Sequence, residues 1–391
     1  MDLAEKVWHE MPEDVVLTIV SFLPAKSLAR FRAVNTSWHH LLSSTSFTGS
    51  CLHMRPLLFL NVKDSATHHR IFTLESPNKW QEFQFTYLPV ASSSQTRVVA
   101  ASVGLVCVQA DSEVLFVCNP ITKAWIKLPP LILGGYEYPV IGMIENRNDP
   151  SNYRVVVTGL KHTTEVYNSS TGQWRLIPGG KASHDSCTTF HQGILYSAGI
   201  AKILTYDVEE ESWTEIDYPV PWPRLCAKRI SECQGRLFLI ASDSEEHSLI
   251  IWTLDHYQNS TPRWTRLRSL SLDRVHKLQE VDNRSLLNVG DDENCKFVFY
   301  AGFRKLMAFN LVSNTWFHFS RYPKDYPFNF FYKHSIFHLQ PSLDASSPNF
   351  SLFSPRLDAT GEVKQSSCST QTTGAEQRSQ RPADMFVHLP R

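Results

Sequence analysis

Two hydrophobic periods divide the chain, the first helical and the second alternating. Residues 7–47, VWHEMPEDVVLTIVSFLPAKSLARFRAVNTSWHHLLSSTSF, carry apolar side chains at helical spacing. Val15, Val16, Ile19, Phe22 and Leu23 make one stripe, predicting a helix over residues 13–22. Pro12 suits its first turn, Glu13 and Asp14 complement the positive end of its dipole, and Pro24 stops it. A second helix over about 27–34 carries Leu28, Phe31 and Val34 on one face, with Arg30 and Arg32 elsewhere. Asn35 is a good cap for a third helix bearing Trp38, Leu41 and Leu42. Helices this short and this close in sequence cannot enclose a core of their own. Their apolar faces must rest on the next domain or on another protein. The pattern alone fits an ordinary helical cap as well as a docking module.

The second period is a weak repeat of about 50 residues. Each copy is an apolar strand, a polar turn, a Trp and another apolar residue, as in LFVCNPITKAWIKLPP and TEVYNSSTGQWRLIP. The repeated Trp residues are Trp80, Trp125, Trp174, Trp213, Trp264 and Trp316, spaced by 45, 49, 39, 51 and 52. In four copies the residue ending the strand lies seven before the Trp: Cys118, Tyr167, Tyr206 and Phe309. Each copy reads as a β-hairpin, and further strands precede several of them, as in GLVCVQA (104–110) and GRLFLIA (235–241). About four strands per unit at this period predict a β-propeller, six-bladed from its six Trp copies, spanning about residues 52–340. Leu57, Val62, Ile71 and Leu74 mark weaker strands in the first blade, and PFNFFYKHSIFHL (327–339) can supply the strand that closes the ring. The regular Trp spacing points to packing between blades rather than a ligand cage.

Within residues 7–47, Met11-Pro12-x-Asp14, Phe22-Leu23-Pro24, Ser27-Leu28, Arg32-x-Val34 and Trp38-x-x-Leu41-Leu42 resemble an F-box. That resemblance implies docking on a Skp adaptor subunit, and through it on a cullin and a RING ubiquitin ligase. By position it implies that Met11, Pro12, Val15, Val16, Ile19, Leu23, Pro24, Leu28, Val34, Trp38 and Leu41 are adaptor-facing or trihelix-core residues. Met11 replaces the usual Leu, a volume-conserving swap, and Asn35-Thr36 stand where many members have Cys-Lys. The repeat resembles the degenerate kelch repeats of plant F-box/kelch proteins, with the Gly-Gly doublet reduced to single glycines such as Gly159, Gly199 and Gly302.

Composition narrows the picture further. Lys+Arg and Asp+Glu both number 38, so no global field steers the chain to nucleic acid or membrane, and direct nucleic-acid binding is not expected. No apolar run approaches the roughly 20 residues of a membrane span, and the first residues lack a signal-peptide pattern. Eight cysteines without C-x-x-C pairs fit reduced thiols in a cytoplasmic or nuclear protein. No hydrolase elbow, P-loop, dinucleotide fingerprint or metal-ligand spacing is present, so neither catalysis, cofactor nor metal is expected. Residues 342–391 are mostly polar and are expected to be disordered.

Recognition is expected on loops. Trp222 falls outside the repeat phase in the proline-rich YPVPWPRLC (218–226), where it and Arg224 are candidate substrate contacts. Tyr136, in LILGGYEYP (131–139), is another. The leading expectation is a substrate-recognition subunit of an SCF (Skp–cullin–F-box) ubiquitin ligase. The alternative is a non-degradative interaction scaffold or transcriptional cofactor that uses the propeller.

Overall fold

The three expected helices form as α1 (Glu13–Ser21), α2 (Ala25–Arg32) and α3 (Thr36–Leu42). The structure is a computed structural model that describes residues 12–21, 23, 25–32, 34–42, 57–63, 69–76, 79–91, 96–102, 104–110, 114–134, 139–146, 149–159, 162–180, 188–255, 262–271, 296–301, 305–318 and 334–339. Met11, Pro24, Tyr136 and the whole polar tail lie outside these residues. Asn35 caps α3 as its sequence position predicts: its side-chain oxygen accepts the Trp38 N–H at 2.8 Å.

The single stripe expected on α1 divides into two rows. Val16 and Val20 are buried with Leu28 and Leu42, while Val15 and Ile19 are 41% and 43% exposed. Neighbouring rows four residues apart run side by side along a helix, so one row faces inward while the next faces water. Phe31 and Trp38 meet edge-on at 5.2 Å beside this small core. Ile121, which comes from the β-domain, completes it.

The β-domain contains six antiparallel sheets among the described residues. The first holds β1 (Leu57–Lys63), β2 (His69–Ser76) and β3 (Lys79–Phe83). The second holds β4 (Thr96–Ala101), β5 (Val106–Ala110), β6 (Val114–Cys118) and β7 (Trp125–Lys127). The third runs from β8 (Val140–Asn146) through β9 (Asp149–Thr158) and β10 (Thr163–Asn168) to β11 (Gln173–Pro178). The fourth is β12 (Thr188–His191), β13 (Ile194–Ala198), β14 (Ile203–Asp207) and β15 (Ser212–Ile216). The fifth is β16 (Leu225–Cys233), β17 (Arg236–Asp243), β18 (Ser248–Asp255) and β19 (Arg263–Ser271). The sixth shows β20 (Lys296–Ala301), β21 (Lys305–Asn310) and β22 (Thr315–His318). The last strand, β23 (His334–Leu339), returns to the first sheet and pairs antiparallel with β1, from Leu57↔Leu339 to Val62↔His334. β4, β8, β12 and β16 lie against one another from sheet to sheet, and β23 lies against β4. These are the innermost strands of a β-propeller.

The Trp repeat is a register and a turn together. Cys118↔Trp125, Tyr167↔Trp174, Tyr206↔Trp213 and Phe309↔Trp316 are direct cross-strand pairs, which accounts for the seven-residue spacing. Six before each Trp stands Asn119, Asn168, Asp207 or Asn310, whose side-chain oxygen accepts backbone N–H groups inside the turn. Two before each Trp the backbone turns left-handed, at Lys123, Gly172, Glu211 and Asn314. The Trp side chains then tie sheets together. Trp174 donates its indole N–H to the Pro129 carbonyl at 2.8 Å, Trp213 to Thr164 Oγ1 at 3.0 Å and Trp264 to the Asp217 carbonyl at 3.1 Å. Each acceptor belongs to the preceding sheet or its exit, so packing between sheets is what these residues do.

Candidate interaction surfaces at opposite ends of the propeller

Strand direction assigns every turn to one of two ends. Turns between first and second, and between third and fourth, strands of a sheet share one end. Turns between second and third strands, and the connections from sheet to sheet, share the other. Ile121 sits in the β6–β7 turn and belongs to the first end, so the helices rest there. That turn is braced by Asn119, which accepts the Ile121 and Thr122 N–H groups at 2.9 and 3.2 Å. In the matching turns Ser170, Glu209 and Val312 occupy the place of Ile121, and Val312 is 68% exposed. Sequence reading passed over Ile121. Its signal is an apolar residue in the middle of a polar turn, which only a contact outside the sheet can cover.

The helical residues named from the F-box resemblance divide by position. Val16 and Leu28 are buried, and Leu23, Trp38 and Leu41 pack partly against them. Val15, Ile19 and Val34 project outward, Val34 with 65% of its surface exposed, and Pro12 is also exposed. The trihelix therefore covers one apolar face with its own core and Ile121, and leaves a second face open.

Trp222 lies at the opposite end, on the connection between β15 and β16. Residues Trp222–Arg224 form one 3-10 turn after Pro221, and Trp222 is 46% exposed. Prolines on both sides restrict the backbone and hold the indole outward. Arg224 is occupied within the chain: its Nη2 lies 2.8 Å from Asp243 and its Nη1 3.0 Å from Glu245. Asp243 is fully buried and also accepts the backbone N–H groups of Glu245 and Glu246. Burial works to raise its pKa, but the Glu246 N–H, the Arg224 guanidinium and the Glu245 N–H together hold its carboxyl below the ordinary value. The Ser244 N–H donates to the Arg224 carbonyl at 2.9 Å, so the β17–β18 turn and the Trp222 turn are locked together. Arg224 thus positions Trp222.

A second strap at this end was legible only as a loop. Glu165, fully buried on β10, accepts the N–H groups of Ile132 and Leu133 at 2.6 and 3.0 Å. A carboxylate accepting two backbone N–H groups anchors the segment and leaves Ile132 and Leu133 exposed. Ile200, on the β13–β14 turn at the same end, is 61% exposed. Trp222, Ile132, Leu133 and Ile200 thus share one end of the propeller, while Arg224 and Glu165 hold two of its loops in place.

Comparison with known proteins agrees with both parts. Residues 8–48 match the F-box domain, and residues 59–276 match the family described as KIB1-4 beta-propeller. An F-box protein of Arabidopsis thaliana is 28% identical over 64% of this chain and 69% of its own length. F-box only protein 6 from the same plant is 23% identical over 81% of this chain and 70% of that one. An F-box/kelch-repeat protein by name, also from Arabidopsis thaliana, is 24% identical over 67% of this chain and 73% of its own.

Proposed function

Because this chain belongs to the KIB1-4 β-propeller family and carries an F-box domain ahead of that propeller, we propose that it is the substrate-recognition subunit of an SCF-type ubiquitin ligase. The observation that carries this reading is the divided trihelix. Its inner row is satisfied by Leu28, Leu42 and Ile121, whereas Val15, Ile19 and Val34 stay in water. An apolar face left open beside a closed one suits docking, and the F-box match supports a Skp adaptor as its partner. Met11, Pro12, Val15, Ile19, Pro24 and Val34 meet the adaptor, and Val16, Leu23, Leu28, Trp38 and Leu41 support them from within. The propeller is a six-bladed, kelch-type ring over about residues 52–340, with the F-box over 7–47. It works in the cytoplasm or nucleus.

The substrate is held at the opposite end, by Trp222 and Arg224 and, from its place in the sequence, by Tyr136. Function is then proximity. A bound protein experiences a high effective concentration of ubiquitin-charged enzyme, and a rigid propeller limits which lysines come within reach. The test uses Val15→Asp with Ile19→Asp, both outside the core. The doubly substituted chain should melt like the parent and lose capture of a plant Skp adaptor. Undiminished capture would overturn the docking assignment.

A further inference from the structure

Charge is sorted along the innermost strands. On β4, β8, β12, β16 and β23 the Lys and Arg residues are Arg97, Lys228 and Arg229, and the Asp and Glu residues are Glu145 and Glu232. These strands start at the Trp222 end. Arg97 is second of six residues in β4, and Lys228 and Arg229 are fourth and fifth of nine in β16. Glu145 is sixth of seven in β8, and Glu232 is eighth of nine in β16. Arg97 therefore stands toward the Trp222 end, Lys228 and Arg229 stand about the middle of β16, and the acids stand nearer the F-box end.

These cations lack what their neighbours have. Lys202, Arg224 and Arg266, at or near the Trp222 end, all pair with carboxylates. Among the described residues Arg97 donates from Nε to the side-chain oxygen of Gln109, at 2.8 Å. Lys228 donates to the Ile200 carbonyl at 2.8 Å and sits 5.2 Å above the Tyr218 ring. Arg229 donates to the Lys228 carbonyl at 2.9 Å. Each acceptor is neutral, and among the described residues no carboxylate pairs with any of the three. All three are half-buried, so each has given up part of its hydration. Burial accordingly lowers the pKa of Arg97, and lowers that of Lys228 against the opposing influence of Cys226. Unused N–H donors on partly dehydrated cations favour an oxyanion, because a charge-assisted hydrogen bond recovers what desolvation removed. β8 and β12 lie between β4 and β16, so the cations stand apart on the inner wall. That separation suits several anionic groups along a segment rather than one compact ion.

We propose that Arg97, Lys228 and Arg229 form a binding site for carboxylate or phosphate groups carried on an extended acidic or phosphorylated stretch of a substrate protein, beside the Trp222 anchor. The proposal rests on the substrate-receptor reading and names the chemistry of its ligand. Charge complementarity selects this occupant, because among the described residues no carboxylate pairs with the three cations and a neutral or basic segment would supply none.

Fluorescence anisotropy on the purified full chain tests it with four probes. These are a labelled peptide of alternating Glu and Gly, its phosphoserine counterpart, its Gln counterpart, and a short single-stranded DNA. One or both anionic peptides should bind, more weakly as salt is raised, and the Gln peptide should bind at least about tenfold more weakly. The tighter of the two anionic peptides identifies carboxylate or phosphate as the natural group. Arg97→Gln and the pair Lys228→Gln, Arg229→Gln should each weaken binding severalfold, while Arg97→Lys retains part of it. Thermal melts verify folding, and should the paired variant unfold, Arg97→Gln alone decides. Equal binding of the Gln peptide, no binding of either anionic peptide, unchanged binding by the variants, or tighter binding of the DNA would each overturn the proposal. Capture of the Skp adaptor is measured on the same samples. Adaptor kept without anion binding rejects this site alone, whereas adaptor lost from the parent chain rejects the receptor reading.

Discussion

Protonation of one buried carboxylate sets how firmly Trp222 is held. Asp243 has its pKa lowered in the folded chain, so the stability it contributes is present above the unfolded value near 4 and is lost as pH falls through the folded one. Acidification below about pH 4 should therefore loosen the Trp222 turn. Indole fluorescence read against a Trp222→Phe control checks this. Asp243→Asn should show the same loosening at neutral pH, costing about 1–3 kcal/mol in urea unfolding, since it removes a charged acceptor from buried donors. Two glycines supply a separate comparison. Gly172 and Gly180 both have positive φ, at 68° and 79°. A Cβ on Gly172 meets nothing within 4 Å, whereas on Gly180 it would lie 2.6 Å from Thr164 Oγ1 and 2.7 Å from Trp213. Gly172→Ala should cost about 1 kcal/mol from the backbone alone. Gly180→Ala should cost clearly more in the same melts, because the Trp213 indole and the Thr164 hydroxyl must both move.

At the scale of elements, α1, α2 and α3 depend on each other and on one turn of the propeller. Leu28 is fully buried where the helices meet. Leu28→Ala should destabilise the trihelix by about 2–5 kcal/mol, the usual range for removing a buried leucine side chain. Ile121→Asp should leave the propeller's melting transition in place while raising amide hydrogen exchange in α1 and α3, because it removes a β-domain side chain from their core. The helices were legible because amphipathic spacing and caps are local. The two-row division of α1 was not, because Val15 and Val16 are equally apolar and only the placement of Leu28, Leu42 and Ile121 decides which row is covered.

For the whole molecule, closure is the central feature. β1 pairs with β23, so the first sheet is built from both ends of the β-domain. Ending the chain after residue 333 removes β23 and exposes the edge of β1. It should lower the melting temperature and promote association, seen by light scattering. Ending it after residue 341 keeps β23 and should melt like the full chain. The same closure relates the two functional ends. Trp222 and Ile121 are carried on connections at opposite strand ends, so the proposed substrate and adaptor surfaces lie at different ends of the propeller.

The sequence by itself determined the helices, the strands, the Trp register and the kind of domain they build. Each of these follows from a short-range rule: a helical or alternating period, and turn residues such as Asn and Asp before the Trp. It also marked Trp222 as out of phase, and so as a loop residue. Only the tertiary structure decided what those residues touch. Arg224, a candidate ligand contact by sequence, is held by Asp243, and Glu165, which no sequence pattern marks, anchors the loop bearing Ile132 and Leu133. Ile121, passed over in the sequence, packs into the core of the F-box helices. Arg97 stands far from Lys228 and Arg229 in the chain, and only the inner strands place them on the same propeller. Such contacts join residues dozens of positions apart, and no local period records which of them come together.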